Sequence, residues 1–313
     1  MILGKTYFNG AENEKLYLGN TLIYSSAVPA TDFIMSVKTD NTGTSNNNQF
    51  TISTVSGNLY NVTTSDGQTL NGNTDDLTIT FPTAGTYDIN ISGDFKQILF
   101  NNGGDKGKLL DVKNWGNIVW TSMSNAFRGC VNITTFSATD APNLSSVTSM
   151  SGIFWGASSF NQPLNSWDVS NVTDMSNLVR SSPFNQPLNS WDVSSVTDMS
   201  FMFTSSSFNQ PLNSWDVSNV SNMQYIFYGS SFNQPLNSWD VSSVSNMSNF
   251  LAQATLSTTN YDITLIGWAG QIPLSYNGTL HFGSSVYTLG GTAEAARTDL
   301  KNDVGAISDG GGV

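Results

Sequence analysis

Phe160-Asn-Gln-Pro-Leu-Asn-Ser-Trp-Asp-Val-Ser recurs without change from Phe184, Phe208 and Phe232, so one eleven-residue block returns every 24 positions. A fixed period between about 20 and 30 residues marks a chain of stacked coils, each burying its apolar edge against the next. The period outlasts the identical block. Methionines at 123, 150, 175, 199, 223 and 247 mark six coils, the first two degenerate. In the last four, Leu178/Val179, Met202/Phe203, Ile226/Phe227 and Phe250/Leu251 follow the methionine by three and four positions. That i, i+3, i+4 spacing predicts a turn or two of helix facing the core. Upstream, Leu164, Trp167, Val169 and Val172, repeated every 24 residues, predict a short inward-facing strand that runs into the helical turn.

Outside the repeat the pattern changes on both sides. In residues 1–28, Lys15-Leu-Tyr-Leu and Thr21-Leu-Ile-Tyr flank Gly19-Asn20, a two-residue hairpin signal. A lone hairpin buries no face, so this segment is expected to attach to something else. Residues 29–97 carry alternating strand patterns at Phe33-Ile-Met-Ser-Val, Gln49-Phe-Thr-Ile-Ser-Thr-Val, Leu77-Thr-Ile-Thr-Phe and Thr86-Tyr-Asp-Ile-Asn-Ile-Ser, of a size that suits a β-sandwich. The repeats occupy residues 98–256. Residues 257–313 leave the register and are expected to cap the last apolar layer, with strands at Ile263-Thr-Leu-Ile-Gly-Trp, Thr279-Leu-His-Phe and Val286-Tyr-Thr-Leu and a short helix N-capped by Thr292. The fold class is therefore mainly β: hairpin, sandwich, solenoid, then an α/β cap.

Composition narrows the function. Only 11% of residues are charged and the net charge is −12, which argues against nucleic acid or an anionic membrane as partner, since both require Lys/Arg patches. Between Cys130 and Ala293 Arg180 is the single cation, against eight aspartates. One cysteine allows no intrachain disulfide, and no apolar run reaches the ~18 residues of a membrane span. The amino terminus lacks the apolar core of a signal peptide. An enzyme is not expected. The single histidine, His281, has no nearby cysteine, and no phosphate loop, nucleophile elbow or HExxH is present. The aspartates repeat too regularly to form one acid/base pair; two carboxylates nevertheless suffice for a glycosidase, so a carbohydrate-active enzyme stays as the least favoured reading.

The unit Phe-Asn-Gln-Pro-Leu-Asn-x-Trp-Asp-Val-Ser-x-Val-x-x-Met, with Phe100-Asn-Asn-Gly-Gly-Asp before it and Ile307-Ser-Asp-Gly-Gly at the end, resembles the BspA-type leucine-rich-repeat surface proteins over residues 98–310. Residues 29–97 resemble the PKD/immunoglobulin-like domain that precedes such arrays. The opening Phe8-Asn-Gly-Ala-Glu-Asn-Glu-Lys-Leu-Tyr-Leu-Gly-Asn-Thr-Leu-Ile-Tyr is similar to amino-terminal segments of bacteriophage structural and tail-associated proteins. The resemblance implies adhesion at surfaces without catalysis, and the missing secretion and sorting signals favour a virion protein, a tail-fibre, tail-tip or capsid-decorating adhesin. Its expected partners are other virion proteins through residues 1–28 and a host-surface or environmental glycan or protein. A bacterial cell-surface adhesin is the alternative, and self-association is a further expectation.

Three rows of residues could carry chemistry. Asp168, Asp192, Asp216 and Asp240 fall in register, so their charges need an offset: backbone N–H groups at the following turn, or, as the weaker reading, Ca²⁺ between coils. No cofactor is otherwise expected. Trp167, Trp191, Trp215 and Trp239 read as a buried stack ahead of a sugar platform. The remaining row is variable. Two and five positions after each methionine, the coils carry Arg128, Trp155, Arg180, Phe201, Thr204, Tyr225 and Tyr228 where apolar character is not preserved. Residues three apart on a helical turn share a face, and Trp, Tyr, Phe and Arg together have the composition of an interaction hot spot. Drift at tolerant surface positions, or packing on a neighbouring subunit, would produce the same pattern.

Overall fold

The computed structural model describes residues 31–313 in full and, before them, the backbone of three strands, β1 (Ile2–Phe8), β2 (Ala11–Leu18) and β3 (Thr21–Ser25). These pair antiparallel in the order β1-β2-β3, with Leu18 opposite Thr21. The expected Gly19-Asn20 turn and residues 26–30 lie outside the described residues. Among the described residues the protein is mainly β and no sheet closes into a barrel. Among the described residues no helix is long and apolar enough to cross a membrane.

Alternation of buried and exposed residues builds the first layer. β4 (Phe33–Lys38), β5 (Gln49–Ile52), β6 (Leu59–Thr64), β7 (Thr69–Asn73), β8 (Leu77–Thr80) and β9 (Thr86–Asp94) form where the patterns predict four of them, and β6 and β7 are added. β10 (Leu109–Asn114) and the two-residue β11 (Thr135–Phe136) complete a six-stranded sheet ordered β11-β10-β4-β9-β6-β7, while β5 and β8 pair separately. The sheet thus runs past the expected boundary after residue 97. Packing explains why: Phe33 meets Trp120 edge-on at 5.1 Å and Trp115 at 5.6 Å, so apolar side chains before and after residue 97 share one core. At the same junction Asp105 and Lys108 are both buried, 3.8 Å apart. The Asp105 carboxylate accepts from the Thr44, Ser45 and Thr51 amides and the Ser45 hydroxyl, and the Lys108 ammonium donates to the Ser45, Asn46 and Gln49 carbonyls. Burial raises the Asp105 pKa, but these hydrogen bonds and the Lys108 charge outweigh it and hold the carboxyl below its ordinary range.

The coils differ from the sequence expectation in local conformation. No α-helix follows the methionines and no continuous strand precedes them. Trp167 N donates to Leu164 O and Val172 N to Val169 O, so Leu-x-x-Trp-x-Val-x-x-Val is a succession of i to i+3 turns. Ladder pairing between coils is reduced to single parallel bridges, Val119 to Asn143 and then, just before the methionines, Ser149 to Asp174, Asp198, Asn222 and Asn246 in turn. After the methionine, backbone donors alternate between two destinations. Met199, Phe201, Phe203 and Ser205 donate forward to Asn222, Gln224, Ile226 and Tyr228, whereas Met202, Thr204 and Ser206 donate back three residues within the coil. The remaining amide, Ser200 N, donates to the Asp198 carboxylate, so each amide from Met199 to Ser206 has an acceptor, as burial demands.

The geometry requires left-handed backbone twice per coil. Two positions after each methionine φ is positive, at Asn125, Gly152, Asn177, Phe201, Tyr225 and Asn249, and again six positions after it. A right-handed helix cannot contain such residues, which is why the i, i+3, i+4 signal produced turns. The apolar residues three and four positions on still face inward, all fully buried in the last four coils.

Aromatic rows hold the stack. Phe160, Phe184, Phe208 and Phe232 lie parallel at 6.0, 6.2 and 6.4 Å. The tryptophans are buried, each indole N–H of Trp191, Trp215 and Trp239 reaching the leucine carbonyl of the preceding coil at 2.8–3.1 Å. The carboxy-terminal segment continues these rows. The expected strand at residues 263–268 is instead the helix α1 (Thr258–Ala269), because Ser257 caps its amino end and Tyr261, Thr264, Leu265 and Trp268 share a buried face. Trp268 Nε1 donates to Leu236 O at 3.0 Å, the next rung of the tryptophan row. β12 (Gly278–His281), β13 (Val286–Tyr287), α2 (Thr292–Val304), β14 (Gly305–Ser308) and β15 (Gly311–Gly312) cover the rest, with parallel pairs β12·β14 and β13·β15. Thr292 is the first residue of α2 and the cap position falls on Gly291. Asp309 ties the end down, accepting both Arg297 nitrogens at 2.6 and 3.0 Å and the Tyr261 hydroxyl at 2.6 Å.

Candidate functional site

Six of the seven variable-row residues come together as one line across the coils. The Arg128 guanidinium lies 3.6 Å from the Trp155 ring centroid, and Arg180 lies over the same ring at 4.7 Å and over Phe201 at 5.0 Å. Phe201 stacks on Tyr225 at 4.8 Å with planes 5° apart, and Tyr225 meets Tyr228 at 5.3 Å. All six side chains are half-buried. The line shifts from five residues after the methionine in the early coils to two after it in the later ones, and it closes at Arg180 over Phe201. Phe201 and Tyr225 stack face to face and so cover one face of each other, whereas Tyr228 is tilted 58° to Tyr225.

Thr204 departs from the expected row. It is 4% exposed and its hydroxyl donates to Tyr225 O at 2.6 Å. A small β-branched residue there fits beneath the line, and its role is to hold the backbone that carries Tyr225.

Charge makes this line unusual. Among the described residues neither Arg128 nor Arg180 pairs with a carboxylate. Their hydrogen bonds go to neutral amides: Arg180 to Asn177 Oδ1 at 3.1 Å, and Arg128 weakly to Asn101 and Asn125. Burial, and then the nearby Arg128 charge, lower the Arg180 pKa. Two unneutralised guanidiniums thus flank one tryptophan on a protein of net charge −12. Sequence spacing found the row; the supporting asparagines were missed, although Asn at three of the six positions was itself a sign of left-handed backbone.

The aspartates of the row are bonded within their own coils. Each of Asp168, Asp192, Asp216 and Asp240 accepts the amide of the serine two residues on at 3.0–3.1 Å and its hydroxyl at 2.6–2.7 Å. Those serine bonds hold the Asp168, Asp192 and Asp216 carboxyls below the usual range, with the neighbouring aspartate charges pulling Asp192 the other way. The carboxylates are exposed, where water and salt screen the repulsion. In the second acidic row Asn222 Nδ2 donates to Asp198 Oδ2 at 3.1 Å, so the change from Asp to Asn supplies a donor between coils. Among the described residues no three His, Cys, Asp or Glu side chains converge as a metal site. His281 lies in β12, its Nδ1 buried without a partner and its carbonyl accepting Leu251 N.

These features describe a mainly β chain whose 24-residue repeats bridge one another and carry one variable arginine-aromatic line. Residues 121–230 and 178–265 match the model of a family described as Mycoplasma protein of unknown function, DUF285. The two matches overlap, as a repeat unit matched in two registers would. No curated protein and no solved structure matches the chain.

Proposed function

We propose that the chain is a non-catalytic adhesin that binds a host-surface or environmental glycan or protein through the line Arg128, Trp155, Arg180, Phe201, Tyr225 and Tyr228. The coils are read as a leucine-rich-repeat-type solenoid and the preceding sheets as an immunoglobulin/PKD-like spacer. Parallel bridges 24–25 residues apart support the first, and the packing of β4–β10 supports the second. One observation carries the binding assignment. Phe201 and Tyr225 occupy left-handed backbone, φ 58° and 57°, where the other coils place Asn or Gly. Bulky residues pay roughly 1–2 kcal/mol for that conformation, and strain retained against cheaper alternatives points to use.

The similarity of residues 8–24 to phage structural proteins supports a virion location, with residues 1–28 contacting other virion proteins. The BspA-type resemblance, together with the match to the Mycoplasma family, favours a cell-surface adhesin as the second reading. The test pairs Arg180→Gln with Tyr225→Asn/Tyr228→Ala in a host-cell and glycan-array binding assay. Loss of binding at unchanged fold is expected, and binding equal to the parent in both variants refutes the assignment. Immunogold labelling of residues 1–28 and of the carboxy terminus on particles distinguishes the two locations.

A further inference from the structure

From the second full repeat onward, each Asn-Ser-Trp corner is closed by the preceding coil. Ser190 Oγ donates to Asn165 O and Trp191 Nε1 to Leu164 O at 2.8 Å, while Ser190 N donates to Asn165 Oδ1 at 3.1 Å. Ser214 and Trp215, then Ser238 and Trp239, repeat the side-chain bonds to Asn189/Leu188 and Asn213/Leu212. The first corner has no such partner. Trp167 is 5% exposed, and among the described residues its Nε1 has no acceptor and neither the amide nor the hydroxyl of the exposed Ser166 finds one.

The cause is topological. The chain that would supply the missing Leu-Asn step is drawn off into the sheet: Thr135 and Phe136 pair with β10, Ala138 N donates to Val112 O, and the Asp140 carboxylate accepts the Trp115 and Gly116 amides. What remains is a cleft of about 450 Å³ lined by Trp115, Phe136, Asp140, Asn165, Ser166 and Trp167. Its volume falls in the range of small-ligand sites, and the indole and hydroxyl donors that the later corners pair with the preceding coil are here left to water, which a matching ligand would displace.

We propose that this cleft binds an extended peptide segment of a partner protein, an apolar residue followed by Asn. Such a segment supplies what the later coils supply, one main-chain carbonyl for Trp167 Nε1 and the next carbonyl for the Ser166 hydroxyl, and, as at Ser190 alone, an Asn side-chain oxygen for the Ser166 amide. The occupant is not the far end of a second copy, because there Trp268 already consumes Leu236 O.

The test is a titration of the full chain, ¹⁵N-labelled at tryptophan, with acetyl-Asn-Gln-Pro-Leu-Asn-Ser-amide. Saturable binding that moves the Trp167 indole N–H resonance, assigned with Trp167→Phe, is expected. Trp167→Phe should weaken binding about tenfold, the scale of one lost hydrogen bond. Ser166→Ala, at an exposed site where folding is not at stake, should weaken it several-fold, as should replacing the peptide Asn by Ala. No resonance shift at millimolar peptide overturns the proposal, as does unchanged affinity in Ser166→Ala and Trp167→Phe together. A neutral disaccharide that moves the indole resonance while the peptide does not also overturns it.

Discussion

Replacing Phe201 and Tyr225 together, once by Asn and once by Ala, separates the strain of the arginine-aromatic line from its contacts. In the parent both residues hold φ near 57°, at roughly 1–2 kcal/mol each. Against this they gain their mutual stacking at 4.8 Å, about 0.5–1.5 kcal/mol, and the Arg180 guanidinium over Phe201 at 5.0 Å, about 0.5–1 kcal/mol at such a site. Asn adopts left-handed backbone readily, so the Asn pair loses the contacts and recovers most of the strain. The opposing contributions are of the same size, and the Asn pair should unfold within about 2 kcal/mol of the parent. The Ala pair loses the same contacts without that relief and should be less stable than the Asn pair by about 1–2 kcal/mol. Urea unfolding followed by far-ultraviolet circular dichroism, with matched thermal melts, reads both differences. If the Ala pair equals or exceeds the Asn pair, the backbone there is not left-handed and the strain argument fails. If the Asn pair loses as much as a buried aromatic would, the line belongs to the core and is not a binding surface.

Other perturbations separate scaffold from surface. Trp215→Ala should cost about 3–5 kcal/mol, since it removes a buried ring and orphans Leu188 O; a midpoint equal to the parent's would place the tryptophan row at the surface. Asp105→Asn should destabilise by about 3–5 kcal/mol by leaving Lys108 buried without its counter-charge, and an unchanged urea midpoint would contradict that junction. The Asp105 and Asp309 carboxyls are both held below their ordinary range. A lowered folded pKa contributes stability that is complete above the unfolded value of about 3.9 and is lost as pH falls through the lower folded value. Melting temperature should therefore stay level from neutral pH to about 5 and fall below about 4, with a shallower acid limb in Asp309→Asn; a decline beginning at pH 6 would exclude these groups as its source. Gly283→Ala should loosen the cap, because a Cβ there would lie 1.8 Å from Ala254 O at φ +59°, and protease cleavage within residues 257–313 measures it.

The 24-residue period, the six methionines and the apolar positions after them were enough to name the buried residues, because burial depends on side-chain polarity and spacing that the chain itself displays. The variable positions also stood out in the sequence, but their contacts did not: six of them meet in the fold and Thr204 is buried beneath them. Backbone conformation within each coil was another matter. An i, i+3, i+4 pattern places residues on one face of a helix, but it also suits a run of turns whose donors alternate between the coil and its neighbour, and only the stacked neighbour supplies the second set of acceptors. Long-range packing likewise decided that Ile263 to Trp268 is helical, since Trp268 must meet Leu236 O, and that the sheet continues through β10. The open corner at Trp167 is legible in no single repeat, because its sequence is identical to the three that are closed. What differs is the coil before it, which the sheet has taken, and a donor is satisfied or left free by the neighbour the fold sets against it.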